Sequence, residues 1–185
     1  MRTSMLACLA CVAAAAIAAP AGSATNYTTV VSVPSPAVDS FYASKRGALL
    51  WLGAGPDSPA AHELMALLRT APVDGFTEGP QLAAQAEALI DRARAGESSV
   101  LREADRLLSI AWVKYVELLR RPPRGMTYAD PWIAPRSQSA DTILLLAAAA
   151  PSLTNHLRTT ARLNPFYSAL RDAALQSDAI GDPRL

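Results

Sequence analysis

The sequence predicts an all-α fold, a compact bundle of six or seven helices with room for one short extended segment. Three observations carry that prediction. Apolar residues recur at three- and four-residue spacing in successive windows across residues 37–177, and Pro, Gly and Ser interrupt them where helices should start and stop. The single apolar run that suits a strand, residues 49–52, has no visible partner strand. With 185 residues and no repeating unit, the chain suits one ordinary domain rather than two large ones or a solenoid.

The first element spans residues 37–46, where Val38, Phe41 and Tyr42 recur helically and Gly47 is placed to end the helix. Leu49, Leu50, Trp51 and Leu52 follow, closed by Gly53, Gly55 and Pro56, a run too short for a helix and suited to a buried extended piece. Ser58-Pro59 opens the next helix, because Ser58 can cap free amides and proline fits the first position, where no N–H is needed. It carries Leu64, Leu67 and Leu68 on one side and runs to about Thr70, before Pro72. Residues 73–76 make a turn, and Gly79-Pro80 opens a helix over 81–95 with the stripe Leu82, Ala86, Leu89, Ile90 and Ala93, capped by Gly96.

The longest periodic segment, 99–121, presents Leu101, Ala104, Leu107, Leu108, Ala111, Trp112, Tyr115, Val116 and Leu119, a face wide enough for the central helix. Pro122-Pro123 stops it, with Arg120 and Arg121 at the negative end of its dipole. A Pro- and Gly-containing loop then carries Tyr128, Trp132 and Ile133, apolar enough to fold back on the core. The almost wholly apolar run ending at Ala149 predicts a buried helix, and Ser152 is placed to cap another through about Leu163. After Asn164-Pro165, Phe166, Leu170, Ala173 and Ala174 recur helically to about Ser177, and Gly181-Asp182-Pro183 marks a frayed tail over 178–185.

The N-terminus reads as an export signal over residues 1–24: Arg2 precedes an uncharged apolar run, 5–19, and small residues offer cleavage after Ala21 or Ala24. A membrane anchor is disfavoured, because the run falls short of the roughly 20 apolar residues a bilayer requires. Cys8 and Cys11, the two cysteines of the chain, both lie inside this run. A lipid-modified cysteine would have to follow the apolar stretch directly, and the run continues past Cys11 to Ala19, so both read as apolar members of the signal. Removal of the signal leaves no thiol for a disulfide, a thiolate nucleophile or a zinc site. Residues 25–36 read as an extended leader broken by Pro34 and Pro36.

Seventeen Lys and Arg oppose sixteen Asp and Glu, a net charge of +1 that provides no long-range field for nucleic acid or an acidic membrane. His62-Glu63 starts like a helical zinc motif, but Ala66 stands where the second histidine is needed, so no metal or cofactor is expected. His156 sits far off in sequence, with no carboxylate at triad-like spacing. Glu87 and Asp91, one turn apart, could pair as carboxylates, but Arg92 and Arg94 beside them favour a solvated charged face. Asp105 shares a face with Leu101, Leu108, Trp112 and Tyr115, and a carboxylate there demands a partner. That partner is expected to be Arg side chains or the free amides of a neighbouring helix or loop, with general-acid work the alternative. Arg120, Arg121 and Arg124, with Tyr128 and Trp132 beyond, form the one local basic cluster. They could hold peptide carboxylates or stack on sugars, or simply answer the helix dipole.

Taken in order, Phe41-Tyr42, Leu50-Trp51, the Ser58-Pro59 helix, residues Ala104 to Ser109, Tyr115, and the Gly125 loop leading to Trp132 resemble the N-terminal helical scaffold domain of large periplasmic L,D-transpeptidases. Asn164-Pro165-Phe166-Tyr167-Ser168-Ala169-Leu170 is similar to that domain's closing signature, so the resemblance covers about 37–177. Those enzymes cross-link peptidoglycan through a catalytic cysteine in a domain downstream of the scaffold. The 185 residues hold no counterpart of it, and no catalytic residue carries over. The matching positions Trp51, Asp105 and Tyr115, with Trp112 between them in the helix, are scaffold positions, as is Trp132. The resemblance implies a periplasmic, non-catalytic domain serving peptidoglycan cross-linking or wall maintenance through a partner, either an envelope L,D-transpeptidase or peptidoglycan itself. Two alternatives stay open: a helical hydrolase using a carboxylate on glycan, and a truncated transpeptidase remnant.

Overall fold

The computed structural model describes residues 35–46, 48–121, 125, 127, 129, 130 and 136–180. They form seven α-helices, α1 Pro36–Ser44, α2 Pro59–Thr70, α3 Gly79–Arg94, α4 Leu101–Leu119, α5 Ala140–Ala149, α6 Leu153–Ala161 and α7 Pro165–Ile180. Short 3-10 turns at Ala71–Asp74 and Ser98–Val100 lead out of α2 and into α4. There is no strand among the described residues, in agreement with the predicted all-α class. The expected signal, most of the leader, the residues beyond Ile180 and Gly47 lie outside the described residues.

Helix α4 is the axis of the bundle because its apolar arc is broad: Leu108, Trp112, Tyr115 and Val116 are at most 1% exposed. It packs against α1, α2, α3, α5 and α6. Burying such side chains contributes about 1.5–3 kcal/mol each. Trp112 meets Trp51 edge to face, with ring centroids 6.1 Å apart, so the segment after α1 is stitched to the middle of α4 by aromatic packing as well.

Several local signals act as expected. Proline occupies the first turn of α2 at Pro59, Ser152 accepts the Asn155 amide at the start of α6, and Gly96 takes φ +112° at the end of α3. Gly79 has a different reason to be glycine. A Cβ there would collide with the backbone carbonyl oxygen of Leu68, so α3 starts pressed against the end of α2.

Four expectations require correction. Residues 49–52 are an irregular loop, neither strand nor paired extended piece, because a carboxylate rather than a second strand satisfies their amides. Ser58 makes no capping bond and is instead buried at the bundle surface, 4% exposed. Helix α5 is not buried all round: Ile143, Leu144 and Ala147 face the core, while Leu145 and Leu146 are about half exposed. The α7 stripe faces outward, with Phe166 83% and Leu170 71% exposed, because polar side chains on the other side of that helix make its attachment.

Candidate functional site

Two carboxylates are withdrawn from water, and each is held by a complete set of donors. The first is Asp105, 0% exposed, on the α4 face turned toward α1 and the 49–52 loop. Its Oδ1 accepts the backbone N–H groups of Trp51 and Leu52, both at 2.7 Å. Its Oδ2 accepts Leu50 N–H at 2.8 Å and the Tyr42 hydroxyl from α1. A carboxylate offers about four acceptor directions, so nothing is left over. The expected partnership with loop amides is therefore the one formed, without an arginine.

The proton order around Asp105 follows from this inventory. Tyr42 has one proton and donates it to the carboxylate, so the 2.7 Å contact between Ser109 Oγ and the Tyr42 oxygen runs from serine to phenol. Ser109 in turn accepts the Trp51 indole Nε1–H at 2.9 Å. A directional chain thus passes from Trp51 through Ser109 and Tyr42 to Asp105. Burial, then the charge of Asp105, push the Tyr42 phenol far above its ordinary pKa, so it remains a donor wherever the fold exists.

The second carboxylate, Asp74, closes the 3-10 turn after α2, with its side chain 1% exposed. It accepts the hydroxyls of Tyr115 at 2.7 Å and Tyr167 at 2.6 Å, and Arg171 Nε at 3.0 Å. The same guanidinium donates to Thr70 at 2.7 Å. Burial raises the Tyr115 and Tyr167 phenols, and the adjacent carboxylate raises them further. Tyr167 and Arg171 lie one turn apart on α7, so this cluster clasps that helix to the α2–α3 corner. Sequence reasoning missed it. The available signal was an aromatic and a cation at i and i+4, about 100° round the helix from the apolar stripe.

The basic cluster separates. Arg121 joins Lys114, Glu117 and Glu78 along an open groove between α4 and the start of α3. Arg120, one residue earlier, turns toward α5 and α6 and approaches His156 and Gln138. Arg124, Tyr128 and Trp132 lie outside the described residues. Trp51, Trp112 and Tyr115 are core residues at 1%, 0% and 0% exposure.

His62 is exposed on α2, whereas His156 is half-buried with its ring edge to face on Trp112 at 5.9 Å. Burial, then the Arg120 charge, lower the His156 pKa below the ordinary imidazole value. Glu87 pairs with Arg69 and Asp91 with Arg94, both on the surface, so these two carboxylates form a solvated charged face. Among the described residues no three His, Cys, Asp or Glu side chains gather as metal ligands, and no helix is long and apolar enough to cross a membrane.

A family model described as "Scaffold domain" matches residues 36–173, from the first residue of α1 into α7. No curated protein and no solved structure matches the chain. The match takes in both carboxylate clusters, helices α1 to α6 and the first half of α7, and it agrees with the sequence resemblance to the scaffold domain of L,D-transpeptidases. The chain belongs to the Scaffold domain family.

Proposed function

We propose that this is an exported, non-catalytic domain that supports peptidoglycan cross-linking or cell-wall maintenance in the periplasm by holding a partner, an envelope L,D-transpeptidase or the wall itself. The observation that carries this reading is the division of labour among its side chains. The two deeply buried carboxylates spend all of their acceptor capacity on the chain's own amides, phenols and guanidinium. Apolar side chains that would ordinarily be buried, Phe166 and Leu170 on α7 and Leu145 and Leu146 on α5, stand in solvent. Reactive groups are committed to architecture, and contact surface is left over.

The hydrolase alternative assigns Asp105 as a general acid. An acid has to reach the oxygen it protonates within about 3 Å, and Asp105 is fully enclosed with four donors already on its two oxygens.

Co-purification tests the proposal. Tagged protein should retain an envelope L,D-transpeptidase or pellet with purified sacculi, and the charge substitutions Phe166→Glu and Leu170→Glu should weaken that retention while leaving the helical circular dichroism unchanged. Failure to bind either, in assays where a known wall-binding protein succeeds, removes the proposal. Muropeptide release from sacculi that disappears in a folded Asp105→Asn variant would replace it with the hydrolase.

A further inference from the structure

We infer that the cavity between α4, α5 and α6 is a binding site for a carboxylate group, with Arg120 as its cationic anchor. The inference is independent of the wall-linked function. It starts from an imbalance. Asp105 and Asp74 show that this chain pairs its buried polar groups thoroughly, yet among the described residues two buried donors have no acceptor: Trp112 Nε1 and Arg120 Nε. Both belong to one face of α4, on which positions 112, 116 and 120 follow at one-turn spacing. Val116 and Arg120 line a cavity of about 40 Å³ together with Gln138, His156 and Thr160, and the His156 ring packs on Trp112.

The charge of the lining is one-sided. Arg120 is the one side chain of the lining with a fixed charge, no carboxylate lines the cavity with it, and Gln138 and Thr160 have donors to add beside their acceptors. None of these side chains, nor the His156 ring, makes a hydrogen bond with another described residue. A buried guanidinium N–H without an acceptor is costly, because the group loses water and gains nothing. With a cation and no anion in the lining, the acceptor that suits this site carries negative charge.

Size narrows the class. A single water occupies about 10–15 Å³ of such space, so about 40 Å³ admits a carboxylate head and excludes a sugar ring or a nucleotide. A planar carboxylate also suits the fork of donors that a guanidinium presents. Arg120, Gln138, His156 and Thr160 are each half-buried, so the group enters from solvent with the rest of its molecule remaining outside.

Nuclear magnetic resonance on the purified protein tests the inference, with the Trp112 indole N–H and the His156 ring protons as reporters. The probes are sodium acetate against sodium chloride at equal ionic strength, and acetyl-alanyl-alanine with a free C-terminus against the same dipeptide as its amide. Acetate and the free acid should shift both reporters saturably, while chloride and the amide should not. Arg120→Gln should weaken binding about tenfold or more, as loss of a charge-assisted bond predicts, and Arg121→Gln, in a different groove, should leave it unchanged. Should Arg120→Gln fail to fold, Gln138→Leu provides the second variant and should weaken binding also. Equal shifts from acid and amide, no saturable shift at all, or equal loss from Arg120→Gln and Arg121→Gln each overturn the site.

Discussion

Removing the Asp105 carboxylate should be among the most damaging single changes available to this domain. In Asp105→Ala, the N–H groups of Trp51 and Leu52 lose their acceptor inside the core, and that of Leu50 loses it at the core's edge. Tyr42 is better off, since Ser109 Oγ lies 2.7 Å away and can accept its proton. Each buried donor left unpaired costs about 1–3 kcal/mol. Taking about 2 for each of the two buried amides and about 1 for the third gives a loss of about 5 kcal/mol, comparable with the whole stability of a marginal domain. Asp105→Asn keeps one oxygen as acceptor and sets its amide N–H groups against the remaining donors, so about half that loss is expected. Urea unfolding followed by tryptophan fluorescence reads the effect directly. With a slope of about 2 kcal/mol per molar, the midpoint should fall by about 2.5 M for alanine and about 1 M for asparagine. In a double-mutant cycle, Tyr42→Phe should cost less once Asp105 is gone, because the hydroxyl then has less to hold. An Asp105→Ala midpoint within about 0.5 M of wild type would refute the reasoning, since the loop would then be held by packing alone.

Three further outcomes follow from the same geometry. Gly79→Ala should destabilise by about 1–3 kcal/mol in the same urea assay, because the Leu68 carbonyl is backbone and cannot swing aside; an unchanged midpoint would mean that α2 and α3 separate freely. Arg171→Ala should free α7 from the Asp74 cluster, seen as faster amide exchange and proteolysis confined to 165–180, whereas protection equal to wild type would show that the helix is held by something else. For His156 the folded pKa lies below the unfolded one, so the unfolded chain binds the extra proton first. Its contribution should therefore fall as pH drops through the unfolded imidazole range, and level off below the folded pKa. His156→Gln should flatten that part of the stability profile, and an identical slope in the variant would contradict the assignment.

Much of this architecture was legible because local chemistry and tertiary packing agree. The α2 boundaries follow from proline at Pro59 and again just past Thr70, and Asp105 was recognisable as buried because it keeps helical register with Leu101, Leu108 and Trp112. The misreadings share a cause. Periodicity shows that a helix has two faces without saying which face is turned inward. In α7 the regular spacing of Phe166 and Leu170 was visible, but Tyr167 and Arg171 took the inner side because Asp74 was waiting there. In α5 there was scarcely any polar contrast to orient the helix, so Leu145 and Leu146 could not be told apart from Ile143 and Leu144. The run at 49–52 reads as an extended piece because it is apolar and too short for a helix, and its amides need acceptors whatever its shape. That all three would find them on one side chain, more than fifty residues away, is a tertiary fact. Arg120 and Arg121 looked like one cluster because they are consecutive, yet on a helix consecutive residues point about 100° apart.

Helix α7 is fastened in an unusual thermodynamic manner. None of its residues with a described side chain is buried, and its ties to the rest of the chain are largely phenol, guanidinium and carboxylate contacts. Detaching it would expose little hydrocarbon, so the heat-capacity change of that step should be small and its equilibrium nearly linear in temperature, while unfolding of the α4 core follows the usual curved dependence. Warming and cooling would then act on the two parts unequally. In the cold, where hydrophobic cohesion weakens, the clasp would keep its strength relative to the body it is fastened to.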